Sequence, residues 1–175
     1  MFGVPRDAIV VDMNTGTNYA PLLARRSPTE VLTGDPAGTI ALIADSATTG
    51  GTHTVNRSTF ATGADGAPPH FHTRASELFV VLAGRLQVLL GEEVHVLEKG
   101  DVLLVPPHVP HAFGAAPGAE ADVLFVFTPG MDRFDYYRLL DRVHRGEADP
   151  AEIAASQDRF DNHYVESPLW RTTRG

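Results

Sequence analysis

The sequence predicts an all-β barrel or sandwich of antiparallel strands followed by two short helices. Two observations carry this. From Gly34 to Gly130, glycine and proline interrupt the chain at short intervals, and between them lie short runs rich in Val, Leu, Phe and Thr. Such runs, with turn signals about every 8–12 residues, are the pattern of sandwiches and barrels. After Pro129-Gly130 the pattern changes: Phe134, Tyr137, Leu140 and Val143 recur at helical spacing with charges between them. A chain of 175 residues is long enough for one domain with a substantial core and too short for two ordinary ones.

In chain order, the first ~25 residues are weakly patterned and are expected to form an arm or an edge strand. Strands are expected over Thr39–Ile43, Thr52–Ala61, Leu78–Ala83, Leu86–Leu90, Val94–Leu97, Val102–Val105 and Val123–Thr128. Gly91-Glu92 reads as the hairpin turn between two of them. Gly146 ends the first helix. Asp149-Pro150-Ala151-Glu152 starts the second, with Asp149 as cap, Pro150 in the first turn and Glu152 at the capping-box position. The expected organisation is therefore a β-barrel with an N-terminal arm over residues 1–130, its regular part about 38–128, and a helical extension over 131–175. That extension is expected to pack on the outer surface of the barrel through Phe134, Tyr137, Leu140, Ile153 and Phe160, without forming a separate domain.

Composition narrows the function. With 14 basic against 22 acidic residues, a net charge of −8 and no basic block, the chain is a poor partner for nucleic acid or an anionic membrane surface. No run approaches the ~18 apolar residues of a membrane span. MFGVPRDAIVVDMN lacks the basic start and long apolar stretch of a secretory signal, so a cytoplasmic location is expected. Cysteine is absent, which excludes disulfides, thiolate metal sites and cysteine nucleophiles.

Three of the eight histidines and one glutamate form the candidate site. In His70-Phe71-His72 the two imidazoles share one face of a strand and Phe71 takes the other. Glu77 follows after four residues, and His111 comes behind Gly100 and Pro106. Three imidazoles and one carboxylate are a borderline ligand set suited to a divalent Fe, Mn, Co, Ni, Cu or Zn ion, with one or two positions left open.

His70, His72, Glu77 and Gly84 fall without a gap on HxH-x4-E-x6-G, and Gly100, Pro106 and His111 fall on most of G-x5-P-x-G-x2-H-x3-N. The chain thereby resembles the cupin family. Two positions depart from the second motif: His108 stands at the turn glycine and Ala115 at the final asparagine. A less strained turn between Pro107 and Pro110 is expected around His108.

The resemblance implies a double-stranded β-helix, or jelly roll, with the metal inside it, and Pro68-Pro69, the single-barrel length and the C-terminal helices look most like small quercetin dioxygenase-like cupins. It implies an oxidoreductase, a metal-dependent dioxygenase that takes an aromatic, enol or phenolic small molecule as its anion, with O2 as co-substrate. Glu77 would be the fourth ligand or, the reading favoured here, a general base on a mobile side chain. Alternatives are a redox-neutral isomerase, polyketide cyclase or lyase, and a non-catalytic small-molecule binder.

Strand alternation places Phe79 and Val81 on the face of Glu77 and Phe113 on that of His111. With Phe60 they are the candidate walls of a pocket for an aromatic or lipophilic substrate. Arg57 and Tyr136 are further polar candidates. Edge strands seek partners, so a homodimer is expected.

Overall fold

The computed structural model describes residues 21–25 and 29–174. The expected N-terminal arm lies almost wholly outside them. Ten strands follow: β1 (Glu30–Leu32), β2 (Gly38–Ala44), β3 (Thr54–Phe60), β4 (His70–Phe71), β5 (Ser76–Leu90), β6 (Glu93–Glu98), β7 (Val102–Val105), β8 (His111–Ala115), β9 (Ala121–Thr128) and β10 (His163–Tyr164). The helices are α1 (Phe134–His144), α2 (Pro150–Ala155), α3 (Gln157–Phe160) and α4 (Pro168–Arg174). Every pairing is antiparallel. One sheet runs β1-β2-β3-β9-β5-β7 and the other β6-β5-β8-β4-β10, with β5 common to both.

That sharing explains why β5 is one strand where the run pattern predicts two. Its first half pairs with β9 and β7 and its second half with β6 and β8. The register against β9 shifts between Val81 and Ala83, and Gly84 sits at φ +71°. A Cβ at Gly84 would lie 1.9 Å from the Glu120 carbonyl oxygen, so only glycine lets the strand turn from one sheet into the other here. Gly91 at φ +60° supplies the expected tight turn into β6.

Alternation along β5 and β9 sends Phe79, Val81, Val123, Phe125 and Phe127 inward, where they form the barrel core with Leu86, Val88 and Val105. Each such side chain contributes on the order of 1.5–3 kcal/mol when buried.

The C-terminal segment departs from expectation in number and place. It contains four helical pieces rather than two, because Ser156 divides the second and Pro168 starts an additional one. The capping box at Asp149 is present as read, with Ala151 N donating to Asp149 and Glu152 accepting from the Asp149 backbone N–H. Phe134, Tyr136, Tyr137 and Phe160 are buried together with Leu42 of β2, and Leu140 and Ile153 are partly buried beside them. This cluster does not simply coat the outer surface. It lies at an opening into the barrel and closes part of it. At the end of the chain, Trp170 packs on Leu89 and Ala112. Arg174 donates to Gln87, Asp65 and the carbonyls of Gly63, Ala64 and Ala115, tying α4 down. Among the described residues no helix is long and apolar enough to cross a membrane.

Candidate metal centre

The site is built where the two sheets approach. β4 lies between β8 and β10, with His70 opposite His111 on one side and Tyr164 on the other. Alternation turns His70 and His72 inward, whereas Phe71 faces outward and stacks on His163 with ring centroids 5.2 Å apart. Glu77 is the second residue of β5 and is paired on both sides, with Val105 and Phe127, so it is held on a central strand rather than on a mobile connection. His111 opens β8 after a turn in which His108 takes φ +66°; the expected relief of strain at this departure from the motif does not occur. The His108 N–H donates to the His72 carbonyl at 2.7 Å, which joins the turn to the ligand-bearing segment.

His70, His72, Glu77 and His111 are all buried, and one candidate ligand atom from each lies within 4.8 Å of all the others. This group could hold a metal ion. The hydrogen bonding supports that reading beyond mere proximity. His70 Nδ1 lies 2.8 Å from the Pro68 carbonyl, His72 Nδ1 2.5 Å from the Asp161 carbonyl and His111 Nδ1 2.9 Å from the Val109 carbonyl. A carbonyl only accepts, so each Nδ1 carries the proton and each neutral imidazole directs its Nε2 lone pair inward. Glu77 Oε2 nevertheless lies 2.9 Å from His111 Nε2 and 3.3 Å from His72 Nε2. Acceptors this close need a cation between them, either extra protons on the rings or a metal. A metal at ligand distances of ~2.0–2.2 Å satisfies all four donors at once.

Electrostatics agree with a site prepared for a cation. Burial, followed by the charges of His111 and His72, pushes the His70 ring well below the ordinary histidine range. Burial also lowers His72. Both rings are thus neutral, as ligands must be. Burial by itself would raise the Glu77 carboxyl, but the contacts to His111 and His72 outweigh it and hold Glu77 ionised.

Asp161, which no sequence pattern indicated, is the main support of this centre. It caps α3 in the left-handed conformation, at φ +51°. Its carbonyl fixes His72, and its buried carboxylate accepts from Thr73 N, Thr73 Oγ1 and Arg74 N at 3.0, 2.5 and 2.9 Å. The burial cost is more than offset by these bonds, which hold the carboxyl down at about 2.

A cavity of about 280 Å³ opens from His70 and Glu77. Phe60, Phe113 and Phe125 line it from the barrel, with Leu32 and Ile40. Arg133, Tyr136, Tyr137, Leu140, Asn162 and Tyr164 line it from the C-terminal segment. Two of the four expected wall residues, Phe60 and Phe113, are therefore in place, 6.0 Å apart edge to face. Phe79 and Val81 are not: both are fully buried in the barrel core, since the interior of a small barrel is filled by its own side chains. Arg57 is paired with Asp122 and lies outside the cavity, whereas Tyr136 lines it. Arg133, Asn162 and Tyr164 went unread because they sit on no repeating pattern. The one available signal was an arginine immediately before a helix, where a positive charge opposes the helix dipole.

Parts of this architecture recur in known proteins. Residues 56–128 match the cupin domain. This matched stretch is less than half of the chain. All four candidate ligands and both motifs fall inside it, and the C-terminal helices fall outside. Protein SchB of Streptomyces halstedii is 31% identical over 86 residues, 49% of this chain and 62% of SchB, so the similarity spans less than two thirds of that relative. KdgF from a Halomonas species shares the cupin fold, at 22% identity and a TM-score of 0.55, covering 64% of this chain and 98% of KdgF. The Fe(II) form of HppE is likewise similar, at 19% identity and a TM-score of 0.54, covering 69% of this chain and 64% of HppE. At these identities the structural likenesses establish the fold, which hosts many chemistries.

Proposed function

We propose that this cupin is a metal-dependent enzyme of the cytoplasm, a dioxygenase acting on a small aromatic, enol or phenolic substrate bound as its anion. The observation that carries the proposal is the ring pattern at the centre. Three Nδ1–H groups are tied to backbone carbonyls, which leaves three Nε2 lone pairs free in a buried cluster with the Glu77 carboxylate, beside an aromatic-walled cavity. His70, His72 and His111 would hold the ion, and Glu77 would complete the set. A divalent transition metal there would lower the pKa of an enol or phenol and fix its orientation.

The chain supplies the rest. Phe60, Phe113 and Phe125 pack against the substrate rings and exclude water. Burial raises Tyr136 and Tyr137, which remain protonated; the Tyr137 hydroxyl donates to Asn56, and the Tyr136–Tyr164 hydroxyl pair keeps one O–H to offer. Glu77 acts as a ligand in this reading, because it is held on a central strand with its carboxylate against two imidazole nitrogens. The proposed assembly is a homodimer. It is supported by β7, an edge strand among the described residues, whose Val102 and Leu104 point outward and are exposed.

The same ligand set would serve a redox-neutral isomerase, cyclase or lyase. The test is to purify the protein without chelators, measure its metal content, and follow oxygen consumption with phenolic and 1,3-dicarbonyl substrates across the Fe, Mn, Co and Ni forms. Stoichiometric metal with substrate-dependent oxygen uptake is expected. Product formation without oxygen uptake would assign the redox-neutral reading, and absence of metal from every preparation would overturn both.

A further inference from the structure

The cavity contains a buried cation that no carboxylate of the described residues touches; Glu77 acts on it only across the cavity. Arg133 is 4% exposed, and its guanidinium lies over the rings of Phe127, Tyr136 and Tyr137 at 4.8, 4.5 and 5.4 Å. Its hydrogen bonds run to uncharged acceptors: Nη1 to the Phe160 carbonyl at 3.3 Å and Nη1 and Nη2 to Asn162 Oδ1 at 3.2 Å. Nε is buried with no partner, and no ion pair includes Arg133 among the described residues. Charged groups inside proteins are normally paired, because desolvating one costs several kcal/mol.

The acids on the same cavity make the contrast. Asp35 accepts from Ala37 N, Asp65 is paired with Arg174, Asp141 with Arg145, and Glu77 belongs to the histidine cluster. Two of the four are paired with arginines of their own, and none touches Arg133, although the chain carries 22 acidic residues against 14 basic ones. Arg133 also breaks a local rule. It occupies the N-cap of α1, where Ser, Thr, Asp or Asn would cap the helix, and makes no capping bond. Sequences that give up local stability in this way commonly do so at functional sites.

Beside the arginine, the hydroxyls of Tyr136 and Tyr164 are 2.7 Å apart. Whichever donates, the other keeps a free O–H. Phe127 touches both Arg133 and His72, the rings of Phe127 and His72 lying 5.5 Å apart, so the cation stands one side chain from the centre.

We propose that Arg133 is the specificity-determining residue of the cavity, receiving a carboxylate or similarly acidic oxygen of an aromatic substrate whose other acidic oxygen lies at the His70–His72–Glu77–His111 centre. This deepens the proposed function and rests on it for the placement of the substrate's other end. The substrate class is then an aromatic with two acidic oxygens, one for the centre and one for the guanidinium. A neutral phenol would leave the guanidinium unpaired.

The test uses 6-hydroxy-2-naphthoate, which carries a phenol and a carboxylate at opposite ends, its methyl ester, and 2-naphthol as probes. Binding to the Zn(II)-loaded full chain is measured by calorimetry and probe fluorescence. The acid is expected to bind at least about tenfold tighter than the ester. Arg133→Gln is expected to abolish that preference while leaving ester affinity within about twofold, and Arg133→Lys to retain part of it. Equal binding of acid and ester by the wild type, or an acid preference that survives Arg133→Gln, would overturn the proposal; the latter result would place the carboxylate on the metal.

Should Arg133→Gln fail to fold, the Arg133 Nε–H resonance of the ¹⁵N-labelled wild type replaces it, assigned through Arg133→Lys. It is expected to move with the acid and not with the ester, and a resonance that ignores the acid overturns the proposal. The outcome separates from that of the oxygenase reading. An Arg133-dependent preference in a protein that consumes no oxygen sustains this inference alone, whereas oxygen uptake without the preference removes this inference alone.

Discussion

The barrel and the C-terminal segment meet at one cavity but contribute differently to it. The barrel supplies the four candidate ligands on strands or beside them; His70, Glu77 and His111 are paired on both sides, and His72 follows directly after β4. The segment after Pro129 supplies Arg133, Tyr136, Tyr137, Asn162 and Tyr164, and through Asp161 it also reaches back to hold His72. The matched cupin domain ends at residue 128. The half that would perform the chemistry lies inside the matched stretch, while much of the half that would choose the substrate lies outside it. A fold that hosts many reactions can change its substrate by changing what is appended at the mouth of the barrel.

The largest expected effect comes from the barrel side. His72→Ala or His111→Ala should remove stoichiometric metal, as read by elemental analysis, while far-UV circular dichroism stays close to wild type because the core is apolar and separate. Full metal content in both variants would break the assignment. Glu77→Gln is expected to weaken metal retention together with activity. If metal instead stays while turnover falls by about 10²–10⁴-fold, Glu77 is acting as the base.

What could be read from the sequence divides along the same line. The ligand set was legible because strand geometry and motif spacing act locally: HxH puts two imidazoles on one face, and Gly84 marks the bend of β5. The filling of the cavity was not, because alternation tells inward from outward but not core from cavity. Phe79 and Phe113 both point inward, yet Phe79 is wholly enclosed and Phe113 lines the opening. Asp161 and Arg133 were out of reach for a different reason. Their importance depends on a loop returning across 88 residues to Thr73 and 29 to Asn162, and no period in the chain encodes such a contact.

The next effect tests whether the appended segment is integral. Phe160→Ala removes a buried ring that packs with Tyr136 and Leu42, at an expected cost of about 3–5 kcal/mol in urea unfolding. Unchanged stability would show that the segment only rests on the barrel.

A smaller effect sits at the junction between the two regions. Asp161→Asn keeps the carbonyl that holds His72 and removes the carboxylate that holds Thr73 and Arg74. Metal affinity should fall by roughly 10–100-fold, as for other groups that orient a ligand. The variant also has a pH signature. The Asp161 carboxyl is held at about 2 against an ordinary value near ~3.9. A group whose pKa is depressed on folding contributes stability above its unfolded value and loses it as pH falls through the folded one. Wild type should therefore be more stable than Asp161→Asn at pH 7, with the gap closing between about pH 4 and about pH 2. A gap independent of pH would mean that Asp161 acts through its shape rather than its charge.

The smallest expected effect on the folded chain lies far from the cavity, on the outer face of β7. Val102 and Leu104 are each 60% exposed, on a strand whose pairing among the described residues is with β5 alone. Replacing Leu104 with Lys should change the stability of the isolated fold by no more than about 0.5 kcal/mol, because a side chain this exposed makes few internal contacts. In a homodimer joined along this edge, the same change buries an uncompensated charge and opposes strand pairing. Light scattering should then report a dimer for the wild type and a monomer for Leu104→Lys, with metal content and cavity binding unchanged. If Leu104→Lys remains dimeric, the interface lies elsewhere; if the wild type is already monomeric, the exposed edge is simply tolerated. Loss of metal on monomerisation would be the most informative departure, since it would make the barrel centre depend on a second chain as well as on the chain's own C-terminal segment.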